Sequence, residues 1–285
     1  MKEISIIGVS RGSQYSPNHV GNDAAIFNLV VEELRKLGCQ VTPYSEKEFV
    51  EKEIKGEFIF DMARDAATIK RLKELEDEGA LVINSAYGIT DCVRKPMTLR
   101  LIENGIPHPE SMIISTEEAY PGTFFPCWFK RGDSHALVKE DVAYATNQQE
   151  ADAILADFSS RGIPEAVVNK HLQGDLVKFY GVQGTDFFYW FYPGPCSHSK
   201  FGLEEINGVA KGFPFSVEDL KEYSDKAADV LNVPVYGGDC VVSSNGEIAI
   251  IDFNDWPSFA RCREEAAVSI ADCIYQRVQK RINNE

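Results

Sequence analysis

The chain opens on short apolar runs that alternate with longer amphipathic stretches. Residues 3–9 (EISIIGV) form a continuous apolar run of strand length. Residues 22–38 carry apolar side chains at Ala25, Ile26, Leu29, Val30 and Leu34, a helical spacing that Gly38 ends. Residues 39–45 and 56–63 are strand-like again, 68–79 are helical, and 80–84 are a strand ending at Asn84. Strands alternating with helices in this way predict a mostly parallel sheet covered by helices. No G-x-G-x-x-G follows the first strand, which disfavours a dinucleotide-binding fold. The polar loop after that strand, with Ser10, Arg11, Ser13 and His19, either faces the ligand crevice of the βα unit or caps the helix.

Further along, 147–161 read as a helix and 165–172 (EAVVNKHL) as a strand, and 176–193 alternate around a Gly turn. The aromatic run 187–192 is expected to pack in a core, since aromatic residues are common in half-buried strands. Residues 193–214, rich in Gly, Pro, Ser and Lys, predict a loop. Ser216 is placed as the N-cap of a helix, with Asp219 three positions on. The last helix, 264–281, is amphipathic, with acids in its first turn and bases in its last.

Between these two helices lies VYGGDCVVSSNGEIAIIDFNDWPSF. Apolar runs at 235–242 and 247–253 flank Ser243-Ser244-Asn245-Gly246, and Asn-Gly in that setting predicts a hairpin. Asp239 and Asp252 then fall nearly opposite each other, and Asn254 shares a face with Asp252 by period-two alternation. Two carboxylates and an amide oxygen on one face are hard oxygen donors that suit Mg²⁺ completed by water and phosphate. The alternative is two solvent-facing acids and a turn Asn. Against it, an Asp inside an apolar strand is disfavoured unless something satisfies it.

Composition narrows the classes. The sequence is 44% hydrophobic and 26% charged, as ordinary globular chains are, and its 285 residues allow two or three modest lobes. The net charge of −15 argues against nucleic acid as a partner, while a small anion in a locally basic pocket stays possible. The seven cysteines are dispersed with no C-x-x-C, so buried free thiols are expected rather than disulfides or zinc. No apolar run approaches the ~18 to 20 residues that spanning a bilayer needs, and the start turns polar after a strand-length run. A cytoplasmic protein with no membrane partner is expected, with a homodimer left open.

The pattern G-x-D, a Gly-containing turn, an apolar strand and D-x-N before a Pro-Ser loop, here at Asp239, Asp252 and Asn254, resembles the metal-binding end of the ATP-grasp superfamily. The spacing of the acids is similar to that in D-alanine:D-alanine ligases, and the D-x-N form to that in inositol tetrakisphosphate kinases. Asn84, Lys95 and Gly105-Ile106-Pro107 with Pro109 resemble the linker of the ribosomal-protein glutamate ligases. The resemblance implies an amino-terminal parallel α/β domain (1–95) followed by a two-lobed α+β ATP-grasp domain (96–285, lobes about 96–168 and 169–285). It also implies ATP and Mg²⁺ as cofactors. On that pattern Lys95 contacts the nucleotide phosphates, with Arg94 as the alternative because the following helix is one residue shorter here. Lys130 and Lys178 match further phosphate-binding positions. The usual Gly-rich loop is replaced by one carrying Ser134-His135, which makes His135 a phosphate or substrate candidate or else a plain loop residue. The hinge is expected at Val168, Asn169 and Lys170, with Leu172 against the base and Asp175 at the ribose. The Glu common in relatives near this hinge is absent.

The resemblance implies a ligase that activates a small-molecule or peptide carboxylate as an acyl phosphate for an amine or thiol. Arg261 and Arg263, beyond the hairpin, are the candidate carboxylate clamp. Two other readings stand beside it: a small-molecule kinase, suggested by D-x-N, the Ser-His loop and Lys178, and a nucleotide-binding protein without turnover, suggested by the missing Gly-rich loop.

Overall fold

The computed structural model describes residues 4–15, 20–136, 138–194 and 206–283. His19 and much of the 193–214 loop fall outside them. The first layer runs β1 (Ser5–Ser10), α1 (Val20–Lys36), β2 (Gln40–Ser45), α2 (Glu46–Glu51), β3 (Phe58–Asp61), α3 (Ala66–Asp77) and β4 (Leu81–Ile83). Its four strands are parallel in the order β2-β1-β3-β4, as the alternation predicted. Local chemistry sets the helix starts. Asp65 caps α3 by accepting from the Ala67 and Thr68 N–H groups, and Ser45 and Glu48 form a capping box on α2.

Two short helices, α4 (Ala86–Asp91) and α5 (Arg94–Glu103), lead to a second sheet. It contains β5 (Ser111–Ser115), β6 (Cys127–Arg131), β7 (Val142–Ala145) and, after α6 (Gln148–Ser160), β8 (Glu165–Lys170). These are antiparallel in the order β5-β8-β6-β7. The third sheet is also antiparallel. Its order is β10-β9-β11-β12, from β9 (Asp175–Val182), β10 (Phe188–Phe191), β11 (Val235–Val242) and β12 (Ile248–Asp255). Helix α7 (Val217–Leu231) precedes β11. Ser216 caps it through the Asp219 N–H at 2.9 Å, and Asn232 ends it in the left-handed region.

The aromatic run is core, as its alternation implied. Phe188, Trp190 and Tyr192 pack toward α5 and α7, while Phe187 and Tyr189 pack toward the first layer. The closing helix, α8 (Arg263–Asn283), bridges the end of the third sheet and the first layer. It lies along α1 and completes the core of the first layer, with Ile270, Ile274 and Val278 packed among Ile26, Val30 and Leu34. The six described cysteines are free and buried. Among the described residues no helix is long and apolar enough to cross a membrane.

Asn84 joins the first and third sheets. Its buried amide donates to the Val235 carbonyl at 2.8 Å and accepts from the Val235 N–H at 3.0 Å, adding a rung where β11 begins. Replacing Asn84 with Ala leaves the Val235 N–H without its partner in a buried setting, while the Val235 carbonyl keeps the Trp256 N–H. The expected loss is about 1–3 kcal/mol, read as a lower urea midpoint. A midpoint equal to that of wild type would show that the rung is dispensable.

Candidate functional site

The hairpin of β11 and β12 has the predicted register. Asp239 lies directly opposite Asp252, and Asn254 lies opposite Gly237, with a bulge between Asp239 and Cys240. Alternation turns Asp239, Asp252 and Asn254 to one face and Tyr236, Cys240 and Phe253 to the core beneath. Glycine is required at 238 because a Cβ there would run into the Asp252 carbonyl oxygen and the Phe179 ring. Lys178, the cross-strand neighbour of Asp239 on β9, pairs with its carboxylate at 3.1 Å.

Asp252 is met from outside its sheet. Arg94, at the start of α5, donates to it at 2.9 Å. Lys130 on β6 places Nζ 3.0 Å from the neighbouring Ile251 carbonyl oxygen. Burial alone would raise the Asp252 carboxyl, but Arg94 and Lys130 bring it down to about 2, so it is ionised at neutral pH. His135, on the loop after β6, lies in the field of Arg64, Asp255, Asp252 and Arg94. Burial first and Arg64 next lower its imidazole to about 4, which leaves it neutral.

The linker lysine is elsewhere. Lys95 pairs with Glu165 at 2.6 Å, and of the two candidates it is Arg94 that reaches the acidic face. At the expected hinge, Val168 is core and Lys170 pairs with Glu110. Asn169 faces the same way as Trp128 and donates to Ser111 Oγ at 2.7 Å. Leu172 is half-buried, and its carbonyl accepts from Asn207. Asp175 is 3% exposed, and its two oxygens accept the Lys211 and Phe213 N–H groups. That geometry makes it an anchor for the segment before α7 rather than a ribose contact. The arginine pair is split: Arg261 stacks over the Phe191 ring at 4.2 Å, and Arg263 donates to Asn22 at 2.7 Å.

Sequence reasoning missed Arg64 and Asp255, which form a buried ion pair beside this face. The acid in D-x-N-D was a visible signal, but its partner, far away in the chain, was not. Among the described residues no three His, Cys, Asp or Glu side chains converge as a metal site. The candidate set is two carboxylates and an amide, an oxygen-only donor group that fits a hard divalent cation.

No family model and no curated protein matches the chain. Solved structures do. The D-alanine–D-alanine ligase from Bacillus anthracis complexed with ATP is similar at TM-score 0.68 and 14% identity, over 98% of this chain and 99% of that one. The RimK-domain ATP-grasp protein from Sphaerobacter thermophilus DSM 20745 gives 0.63 and 15%, over 95% and 99%. The VanG D-Ala:D-Ser ligase from Enterococcus faecalis gives 0.66 and 14%, over 96% and 99%. The chain thus has the ATP-grasp fold along nearly its whole length, and the resemblance to carboxylate–amine ligases of that superfamily holds at the level of architecture.

Lys130 supplies a test of the site's electrostatics. Burial, then Arg94, lower its ammonium to about 7 from an ordinary 10.5, against the opposing pull of Asp252 and Asp239. Between those values the unfolded chain holds a proton that the folded chain lacks, so stability rises with pH across this window. We expect wild type to gain on Lys130→Met by on the order of 1 kcal/mol or more when urea midpoints at about pH 6.5 and 9.5 are compared. A difference that does not change with pH would show that Lys130 is not a buried base.

Proposed function

We propose that this protein is an ATP- and Mg²⁺-dependent ligase that activates a small-molecule or peptide carboxylate as an acyl phosphate for attack by an amine or thiol. The observation that carries the reading is the facing pair Asp239 and Asp252 with Arg94, Lys130 and Lys178 around it, drawn from three different parts of the chain. The D-alanine–D-alanine ligase and the D-Ala:D-Ser ligase among the similar structures support the same reaction class.

In this reading Asp239, Asp252 and Asn254 would hold Mg²⁺, which supplies charge neutralisation for the β- and γ-phosphates of ATP. Arg94 and Lys178, and Lys130 in its protonated form, add positive charge where negative charge gathers in phosphoryl transfer. A substrate carboxylate oxygen attacks the γ-phosphorus and ADP leaves. The amine or thiol then attacks the acyl carbon, and inorganic phosphate leaves. Among the described residues Arg261 has no hydrogen bond or ion pair, and its guanidinium is the cation best suited to hold the carboxylate. Val168, Asn169, Lys170 and Leu172 remain the proposed base-binding segment, and His135 a proposed phosphate or substrate contact. A cytoplasmic location fits reduced, buried thiols.

Two expectations follow for the metal face. Asp252→Ala abolishes ATP turnover with the fold retained by circular dichroism, and Asp239→Asn is milder because an amide oxygen still coordinates. Turnover of Asp252→Ala within a few-fold of wild type would sink the metal assignment. Arg94→Met weakens ATP more than adenosine, whereas Lys95→Met leaves both nearly unchanged; equal weakening of ATP by the two variants would return Lys95 to the site. The reaction class itself is read by assaying ADP and phosphate separately over amino acids, small peptides, hydroxy acids and polyol phosphates. Equal release of both in the presence of an amine or thiol is expected. ADP without phosphate would identify a kinase instead.

A further inference from the structure

The end of β12 is gripped from behind. Asp255, 1% exposed, follows Asn254 and by alternation turns to the opposite face from Asp252 and Asn254. Arg64, from the loop after β3 and 16% exposed in its side chain, meets it there. Its Nη1 donates to the Asp255 carboxylate, and its Nη2 donates to the Asp255 carbonyl oxygen at 3.3 Å. One residue on, Arg11 Nη2 donates to the Trp256 carbonyl oxygen at 3.0 Å. Arg11 is itself fixed, with Nε on the Met62 carbonyl and Nη1 on Asp23. A single carboxylate, Glu46, holds both arginine loops by accepting the Gly12, Arg64 and Asp65 N–H groups. Trp256 takes φ +36° and stacks on Phe60 of the first layer.

A buried ion pair adds little net stability compared with two well-packed apolar side chains. What this one adds is direction. A planar guanidinium fork bonded to both the side chain and the main chain of one residue sets the orientation of that residue, which an apolar contact leaves loose. The candidate metal ligands Asp252 and Asn254 lie three residues and one residue upstream on the same strand. A twist of the strand end moves both at once.

We propose that Arg64 and Asp255 are positioning residues for the metal face, holding the end of β12 so that Asp252 and Asn254 keep their ligating orientation. The inference rests on the metal reading proposed above. Its test uses the full chain with Mn²⁺ as probe, titrated in the presence of ADP and followed by electron paramagnetic resonance. ADP affinity without metal and the melting temperature are recorded alongside.

Asp255→Asn and Arg64→Lys each weaken Mn²⁺ binding by about 10-fold to 100-fold, the range for residues that orient metal ligands, while metal-free ADP affinity stays at the wild-type value. The double variant Arg64→Met/Asp255→Leu, which removes both charges, recovers the melting temperature but not Mn²⁺ affinity. Wild-type Mn²⁺ affinity in Asp255→Asn and in the double variant would overturn the inference and leave the pair a packing feature. If wild type itself binds no Mn²⁺ with ADP, it is the metal reading that fails, so the two failures are told apart.

Discussion

Two aspartates placed face to face across an antiparallel ladder repel each other, and like charges in that position weaken a sheet. Asp239 and Asp252 occupy such a position, and the strand pair survives because cations reach them from elsewhere. Lys178 comes from the adjacent strand, Arg94 from the helix that follows the first layer, and Lys130 from the facing sheet. Each of the three comes from a different element, so the acidic face is tolerable only when those elements are assembled. The same requirement makes the face suited to the divalent cation and phosphates proposed for it.

That dependence explains why the first layer is more than an attachment. Arg11 and Arg64 stand in the loops after β1 and β3, on the side of a parallel sheet where ligand crevices form. They point their guanidinium groups not into open space but onto Asp255, the last residue of β12, and Trp256 just beyond it. Helix α8 then returns to pack on α1, so the segment after the hairpin is bound to the first layer by apolar packing as well as by charge.

The parts of this arrangement that were legible in the sequence are those written in local spacing. Asn-Gly between apolar runs fixed the hairpin, and alternation then put Asp239, Asp252 and Asn254 on one face, as the register bears out. The βα alternation of residues 3–84 was equally local. What was not legible depends on long-range geometry. Whether Arg94 or Lys95 faces the acids turns on a single residue of helix phase at the start of α5, and no local spacing resolves that. Arg261 and Arg263 looked like one clamp because they are two apart. The turn into α8, with Phe259 at φ +49°, sends one onto Phe191 and the other to Asn22. Asp175 had the composition of a sugar contact, but two N–H groups from the segment before α7 claim it.

The three sheets are not equally joined. The first and third share buried side chains, since Val182, Val235, Trp256 and Phe259 belong to the same core as α1 and α8. The second sheet has a core of its own, whose buried residues lie between Ile114 and Val168 with Met112 packed against them. What joins it to the rest near the site is polar: Lys130 on the Ile251 carbonyl, Lys95 on Glu165, and the Lys95 N–H on the Gly132 carbonyl. Breaking such contacts exposes groups that water can satisfy, whereas opening an apolar core exposes surface that water cannot. On that argument the second sheet is the layer whose separation from the rest would cost least. Lys130 and His135 ride on it, while Asp239, Asp252 and Asn254 stay anchored to the first layer. Such an opening would take Lys130 and the neutral His135 away from the acids without disturbing the acids themselves.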